Sequence, residues 1–251
     1  MSASKNPDTR KITWFDEYLI HSYEVDVGGK LTLSGLCHFM QESAWNHAEH
    51  LGLGYSHLLE KNLAWILSRQ LIRVADMPEW GDKIIIATWP SGRDRLYCYR
   101  DFKISDTTDR VLARGTTAWF VIDMATRKPQ RTDSYYHLAS VDLDPSSPPK
   151  PEKISLVRPT GETTSVRVGY RDMDVNEHVN NVRYIDWIID SYPFDFLKTH
   201  RPSEIEINYL AEALIADDLS VETEKRDDLI YYHKITRKPD ERELCRAKIV
   251  W

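Results

Sequence analysis

The chain carries one order of sequence elements twice, on either side of a proline-rich break. Residues 142–151 include four prolines within seven positions, which is typical of a stiff, extended connector rather than a core element. With 251 residues, the chain is long enough for one large domain or two of ordinary size. We therefore expect an N-terminal unit over residues 1–141, a linker over 142–153 and a C-terminal unit over 154–251.

Each half begins with a strand-like segment that ends in an aspartate-containing turn, at residues 23–26 and 170–174. A helical pattern follows in both halves, because apolar residues recur every three or four positions over residues 36–51 and 182–192. Strand-like segments come next, at residues 84–89, 112–119, 219–223 and 244–251. One helix followed by antiparallel strands predicts an α+β unit, and two such units in tandem can pair edge to edge.

Composition excludes several classes of protein. The chain is 41% hydrophobic and 29% charged, which is typical of a soluble globular protein, and its net charge of −6 argues against a general nucleic-acid binder. The three cysteines are far apart and lack metal-site spacing, so neither a disulfide framework nor a zinc site is expected. No apolar run reaches 18 residues and the first eleven residues are polar, so we expect a cytoplasmic protein without a membrane span.

A carboxylate, an amide and an imidazole stand at every second position in Asp174, Asn176 and His178. In an extended segment this spacing places all three side chains on one face, where they can act as an orienting acceptor, an oxyanion donor and a proton carrier. The same residue types before a helix also form polar turns and helix caps. Spacing alone leaves both interpretations open. Asn180 and Asn181 are expected to be structural, capping the helix or bonding nearby backbone groups.

A longer stretch carries a family resemblance. Residues 174–188 resemble the signature of the acyl-acyl-carrier-protein thioesterases of plants and bacteria, and segments 22–25, 41–47, 62–65 and 78–82 are similar to family segments in the same order. The resemblance covers residues 12–251. It implies a tandem double-hotdog fold, in which each half is an antiparallel sheet wrapped around one long helix. It also implies hydrolysis of fatty acyl-acyl carrier protein to free fatty acid and holo-carrier, without a metal or an organic cofactor.

The resemblance implies four catalytic residues in the second repeat: Asp174, Asn176, His178 and Glu212. Ala213 stands where the family segment has a cysteine, so a mechanism with that cysteine as nucleophile cannot operate. We expect direct attack by water, with Glu212 as general base. Backbone N–H groups at the start of the helix that follows His178 are the expected oxyanion donors. An exchange of roles between Glu212 and His178 stays open.

The first repeat lacks this polar set at residues 26–30, and in the family it shapes the acyl-chain cavity. The expected lining residues, each also explicable as ordinary core, are Leu36, Met40, Ala44, Trp45 and Trp65. Three histidines, His47, His50 and His57, have helical spacing, but no clustered carboxylate supports a metal site.

Acyl carrier protein is acidic, so we expect a locally basic docking surface. The candidates, each also explicable as solvated surface charge, are Arg93, Arg95, Arg171 and Arg183, with Arg100, Arg127, Lys128 and Arg131. Two other functions stay open: hydrolysis of acyl-coenzyme A by the same chemistry, and non-catalytic binding of an acyl ligand. Because the tandem repeats already pair two units within one chain, the protein is expected to be a monomer or a homodimer.

Overall fold

The computed structural model describes residues 13–134, 144–161 and 163–251. The first half contains, in chain order, β1 (Trp14–Leu19), α1 (Leu33–His50), α2 (Tyr55–Leu59), β2 (Leu63–Val74), β3 (Lys83–Arg93), β4 (Cys98–Asp106), β5 (Val111–Asp123) and a 3₁₀ turn (Thr132–Ser134). The second half contains β6 (Thr163–Arg167), a 3₁₀ turn (Tyr170–Asp172), α3 (Asn181–Ile189), α4 (Phe194–Thr199), β7 (Glu204–Tyr209), β8 (Asp218–Asp227), β9 (Ile230–Arg237) and β10 (Arg242–Val250). No helix in this described part of the chain is long and apolar enough to cross a membrane.

The ten strands form a single sheet in the order β1-β3-β4-β5-β2-β7-β10-β9-β8-β6. Each half contributes five neighbouring strands, and the second half repeats the order of the first in reverse about the junction. The junction is the antiparallel pair of β2 and β7, in which Leu71 lies opposite Glu206. This edge-to-edge pairing confirms the expected α+β double hotdog.

Helix α1 forms because its apolar residues share one face and its first turn is capped. The side chain of Thr32 accepts a hydrogen bond from the N–H of Gly35 at 3.0 Å. Leu33, Leu36 and Met40 are buried against the sheet. One hydrophobic core extends from α1 across the junction to α3, since Ile72 of β2 and Ile207 of β7 are both fully buried in it.

The connector between the two halves packs against the sheet. Residues 144–161, here called the strap, have no regular secondary structure, and Ile154 and Val157 are buried. The Pro148 carbonyl accepts from Thr116 Oγ1 on β5, and the Ile154 carbonyl accepts from Arg246 on β10, both at 3.1 Å. The strap therefore crosses strands of both halves, on the face opposite the helices. It extends past residue 153, and Asp142 and Leu143 of the expected linker lie outside the described residues.

The two opening strands lie earlier than expected. Residues 23–26 form turns and Tyr170–Asp172 is a 3₁₀ turn, whereas β1 and β6 precede them. In the first half, the Asp26 carboxylate accepts the N–H of Gly28 at 2.7 Å, which curls the chain. Hydrogen bonds from a side chain to nearby backbone groups compete with strand pairing, so residues 23–26 form a turn and not the expected strand.

Candidate active site

Residues 173–179 form a tight turn closed by a bridge between Met173 and Val179. Oδ1 of Asp174 accepts the N–H of Asn176 at 2.8 Å and the N–H of His178 at 3.3 Å, while its own N–H donates to the His178 carbonyl at 2.7 Å. Glu177 has a left-handed φ of 60°. The expected extended segment is therefore wrong, because the Asp174 carboxylate stabilises a turn around itself.

The turn separates the three side chains of the sequence motif. Asp174 is occupied with backbone N–H groups, and Asn176 is exposed. Only His178 faces Glu212, with 3.8 Å between its Nδ1 and Oε1 of the carboxylate. The structure therefore brings together His178 and Glu212, with Asp174 shaping the turn that carries the imidazole.

Helix α3 begins immediately after this turn. Asn180 is its N-cap, and its side chain accepts the N–H of Val182 at 2.9 Å, which confirms the expected cap. The N–H of Asn181 has no hydrogen-bond partner among the described residues. A helix N-terminus concentrates positive potential, so this N–H group is suited to stabilise a developing oxyanion.

Glu212 lies in the loop after β7, which ends at Tyr209, three residues earlier than the carboxylate. Its second oxygen, Oε2, accepts from Nη2 of Arg127 at 2.8 Å. The side chains of Glu212 and His178 are 35% and 37% exposed, so water reaches both. One carboxylate oxygen is thus held by a guanidinium, while the other faces the imidazole.

Ala213 is fully buried and its N–H donates to the hydroxyl of Tyr184 on α3 at 2.9 Å. Burial raises the pKa of Tyr184, so its side chain is a neutral hydroxyl. This bond ties the loop of Glu212 to the helix that follows His178. No local sequence pattern predicts this bond, because its partners are 29 residues apart.

All three cysteines are buried. Burial raises the pKa of Cys37 to about 12 and also raises the pKa of Cys245. Thiols that stay protonated are poor nucleophiles. A cysteine nucleophile is therefore not available to the Glu212–His178 pair.

A small cavity of about 20 Å³ lies between α1, the sheet and the start of α3. Its lining residues are Cys37, Met40, Gln41, Ala44, Leu67, Gln70, Phe102, Thr117, Trp119, Asn181 and Val182. Asn181 and Val182 are the first two residues of α3, so the cavity lies near the turn that carries His178.

Of the five expected acyl-site residues, Met40 and Ala44 line this cavity, whereas the other three lie elsewhere. Leu36 is core, and Trp45 is 40% exposed and stacks on Tyr55. Trp65 packs against a small separate cluster, and its Nε1 donates to the Leu53 carbonyl at 2.7 Å. The residues contributed by β2, β4 and β5 were missed because only strand register reveals them.

The arginines expected at a docking surface differ in their surroundings. Arg95 and Arg171 are exposed, and Arg93 is paired with Asp133 at 3.0 Å. Arg183 is instead engaged by Asp186 at 2.8 Å and Asp172 at 3.9 Å.

Arg100 points inward, where Nη1 donates to Nδ1 of His47 at 3.0 Å. The three histidines considered for a metal site contact different groups. His47 and His50 pack on Trp14, and His57 pairs with Glu49 at 3.5 Å.

Comparisons with known proteins agree with this architecture. The family model for the acyl-ACP thioesterase N-terminal domain matches residues 11–137, and the model for the C-terminal domain matches residues 158–251. A palmitoyl-acyl carrier protein thioesterase of Gossypium hirsutum is 29% identical over 80% of this chain and 52% of its own length. An oleoyl-acyl carrier protein thioesterase of Coriandrum sativum is 28% identical over 80% of this chain and 59% of its own. The chain therefore spans about half to three fifths of these curated relatives.

Solved structures extend the comparison to the fold. An acyl-ACP thioesterase from Bacteroides thetaiotaomicron is 27% identical with a TM-score of 0.83, covering 95% of this chain and 97% of that one. A 12:0-ACP thioesterase from Umbellularia californica, at 22% identity, shares the fold with a TM-score of 0.82 over 96% of this chain and 97% of its own. The chain belongs to the acyl-ACP thioesterase family, because the two family models together match most of its length.

Proposed function

We propose that this protein hydrolyses the thioester between a fatty acyl chain and the phosphopantetheine arm of acyl carrier protein. The observation that carries the proposal is the Glu212–His178 pair, 3.8 Å apart and partly exposed, beside a cavity that opens at the start of α3. Family membership supports the same chemistry. Residues 1–141 would shape the acyl site, residues 154–251 would carry the catalytic groups, and the linker would span 142–153.

In this mechanism Glu212 takes a proton from a water molecule, whose oxygen attacks the thioester carbonyl carbon. Negative charge develops on the carbonyl oxygen, where the Asn181 N–H can donate. Collapse of the tetrahedral intermediate breaks the carbon–sulfur bond. The proton held by Glu212 returns through His178 to the departing sulfur, so both residues end the cycle as they began. A reversed assignment, with His178 as base, uses the same contact.

The carrier would dock where exposed arginines border this site. Arg93 pairs with Asp133, and the Arg95 carbonyl accepts the N–H of Thr132 at 3.3 Å. The β3–β4 hairpin therefore lies against the segment that follows Arg127, the residue bonded to Glu212. Attraction to an acidic carrier on this side would steer the arm toward the carboxylate.

Release of free thiol from acyl carrier protein thioesters of eight to eighteen carbons, with matched coenzyme A thioesters, tests the proposal. We expect faster turnover of the carrier protein thioesters, with a maximum at one chain length. Equal or faster turnover of the coenzyme A thioesters would move the protein to the acyl-coenzyme A alternative. Binding without turnover of either would favour the non-catalytic one.

Glu212→Gln tests the assignment of the base. It keeps the shape of the side chain and removes its basicity, so we expect kcat to fall by about 10²- to 10⁴-fold with unchanged thermal stability. Asp195→Asn is the control, because that carboxylate is 88% exposed on α4. A Glu212→Gln enzyme with nearly normal kcat would contradict the assignment.

A further inference from the structure

Arg127 lies in the turn after β5, in the half of the chain that lacks the catalytic motif. Its N–H donates to the Asp123 carbonyl at 2.8 Å, and the Asp123 carboxylate accepts both the N–H and the hydroxyl of Thr126, at 2.7 and 2.9 Å. These bonds lower the pKa of Asp123, which keeps its carboxylate ionised and the turn closed. Arg127 is thus presented by a turn with several fixing bonds.

The backbone of Arg127 has a φ of 56°, in the left-handed region that non-glycine residues rarely adopt. Such a conformation persists only where the surrounding structure enforces it, and it is concentrated at functional sites. The guanidinium of Arg127 reaches across the junction between the repeats to Glu212, in the loop after β7. The contact joins residues 85 positions apart in sequence.

The two oxygens of the Glu212 carboxylate have different neighbours. Arg127 Nη2 donates to Oε2 at 2.8 Å, while Oε1 lies 3.8 Å from Nδ1 of His178. With one oxygen fixed, rotation of the carboxylate is restricted, and the other oxygen remains available for a water molecule or the imidazole. The Arg127 side chain is 52% exposed, and exposed ion pairs contribute little to folding stability.

We propose that Arg127 is a positioning residue of the thioesterase reaction, acting from the first repeat by orienting the Glu212 carboxylate of the second. This role rests on the proposed function. It replaces the expectation that Arg127 belongs to the carrier-docking surface. The active site of the chain is then composite, with the acid–base pair in one repeat and its orienting cation in the other.

A matched control exists within the same molecule. Arg73 of β2 donates to Glu204 of β7 at 2.9 Å and is 55% exposed, so it too forms an exposed ion pair across the repeats. Unlike Arg127, it touches no catalytic group in the described part of the chain. The comparison of Arg127→Gln with Arg73→Gln therefore separates orientation of Glu212 from the attachment of one repeat to the other.

The experiment measures kcat and KM with an acyl carrier protein thioester for the wild type, Arg127→Gln, Arg127→Lys, Arg73→Gln, Glu212→Gln and the double variant of Arg127→Gln with Glu212→Gln. We expect Arg127→Gln to lower kcat by about 10- to 100-fold with KM changed by less than about twofold. Arg127→Lys should recover most of this loss, because a single 2.8 Å contact needs only one donor. Arg73→Gln should retain wild-type kcat within about twofold.

The decisive result is the double variant. If Arg127 acts through Glu212, its removal changes kcat by less than about twofold once the carboxylate is gone. Two effects that multiply would overturn the proposal, as would normal kcat in Arg127→Gln or a rise in KM alone, which would restore the docking role. Turnover by the wild type is measured first, because its absence would contradict the proposed function itself.

Discussion

The Met40 side chain fills the space between α1 and β5 at the wall of the cavity. Its side chain is 2% exposed and lines the cavity, and its terminal methyl lies over Gly115, where an added Cβ would come within 2.8 Å. A flexible thioether between α1 and β5 can adapt to chains of different shape. Chain-length preference should therefore respond to this position.

Met40→Ala removes three heavy atoms from the cavity wall. We expect the preferred acyl chain to lengthen by about two or three methylenes, and the free energy of unfolding to fall by about 2–5 kcal/mol. The measurement is thiol release across the panel of chain lengths, with urea unfolding beside it. Leu36→Met is the control, because Leu36 is 1% exposed in the core but is not part of the cavity wall. An unchanged preference in a folded Met40→Ala protein would exclude Met40 as a determinant.

Sequence reasoning proposed His178 from its motif and Glu212 from the family resemblance, and the structure places their Nδ1 and Oε1 atoms 3.8 Å apart. It missed the bonds that orient them, which join Arg127 to Glu212 and Tyr184 to the N–H of Ala213. Both contacts depend on how a turn or a helix is placed over a loop far away in sequence, and no local pattern encodes this. Local order was also misjudged at Asp174, where a side-chain to backbone bond replaced the extended segment.

Among the elements, the strap receives two of its hydrogen bonds from one buried amide. Asn208 of β7 is 2% exposed; its Oδ1 accepts the N–H of Ile154 at 2.8 Å, and its Nδ2 donates to the Glu152 carbonyl at 2.9 Å. These two bonds satisfy an N–H and a carbonyl of the strap, which forms no backbone ladder with a strand at these positions. Composition predicted a stiff connector from its prolines, but it could not predict the polar positions on β7 that bind it.

Asn208→Ala should leave two backbone groups of the strap without partners. We expect the free energy of unfolding to fall by about 2–4 kcal/mol, because each buried unpaired group costs about 1–3 kcal/mol. Urea unfolding measures the loss. In the control, Glu206→Gln, the amide oxygen can still accept the N–H of Glu152, now held at 2.7 Å, so the change should be small. Equal losses in the two variants would contradict this account of the strap.

At the scale of the whole molecule, stability should depend on pH through His233. The ring is fully buried between Tyr192, whose hydroxyl lies 2.7 Å from Nε2, and Thr223, whose hydroxyl lies 3.1 Å from Nδ1. Burial lowers the pKa of His233 from 6.5 to about 3, so the ring stays neutral in the fold. An unfolded chain has no such restriction and binds a proton below its ordinary pKa.

This contribution is complete above pH 6.5 and is lost as the pH falls toward 3. We expect the loss to be about 1.4 kcal/mol of unfolding free energy per pH unit in that window. Urea unfolding at several pH values measures the slope, which His233→Gln should flatten because an amide does not titrate there. The same slope in both proteins would show that other groups control the acid limb.

The order of elements was largely predictable for the molecule as a whole, because helix and strand periodicity is a local property. Edge-to-edge pairing of the two halves was also expected, since two exposed sheet edges in one chain can cover each other, but the sequence did not identify β2 and β7 as the strands that pair. The first strand of each half was misplaced: β1 and β6 pair only at the outer edges of the sheet, and their short sequences carry weak periodicity.

The charges at the junction between the repeats favour the pairing of β2 with β7 over the pairing of either strand with a copy of itself. Arg69 and Arg73 of β2 lie opposite Asn208 and Glu204 of β7, with Leu71 and Glu206 at the centre of the register. If two copies of β2 met in that register, Arg69 would oppose Arg73 twice, and two copies of β7 would place Glu206 against Glu206. Like charges directly opposite each other destabilise a strand pair. Pairing of β2 with β2, or of β7 with β7, between two neighbouring molecules is therefore disfavoured relative to the pairing of β2 with β7.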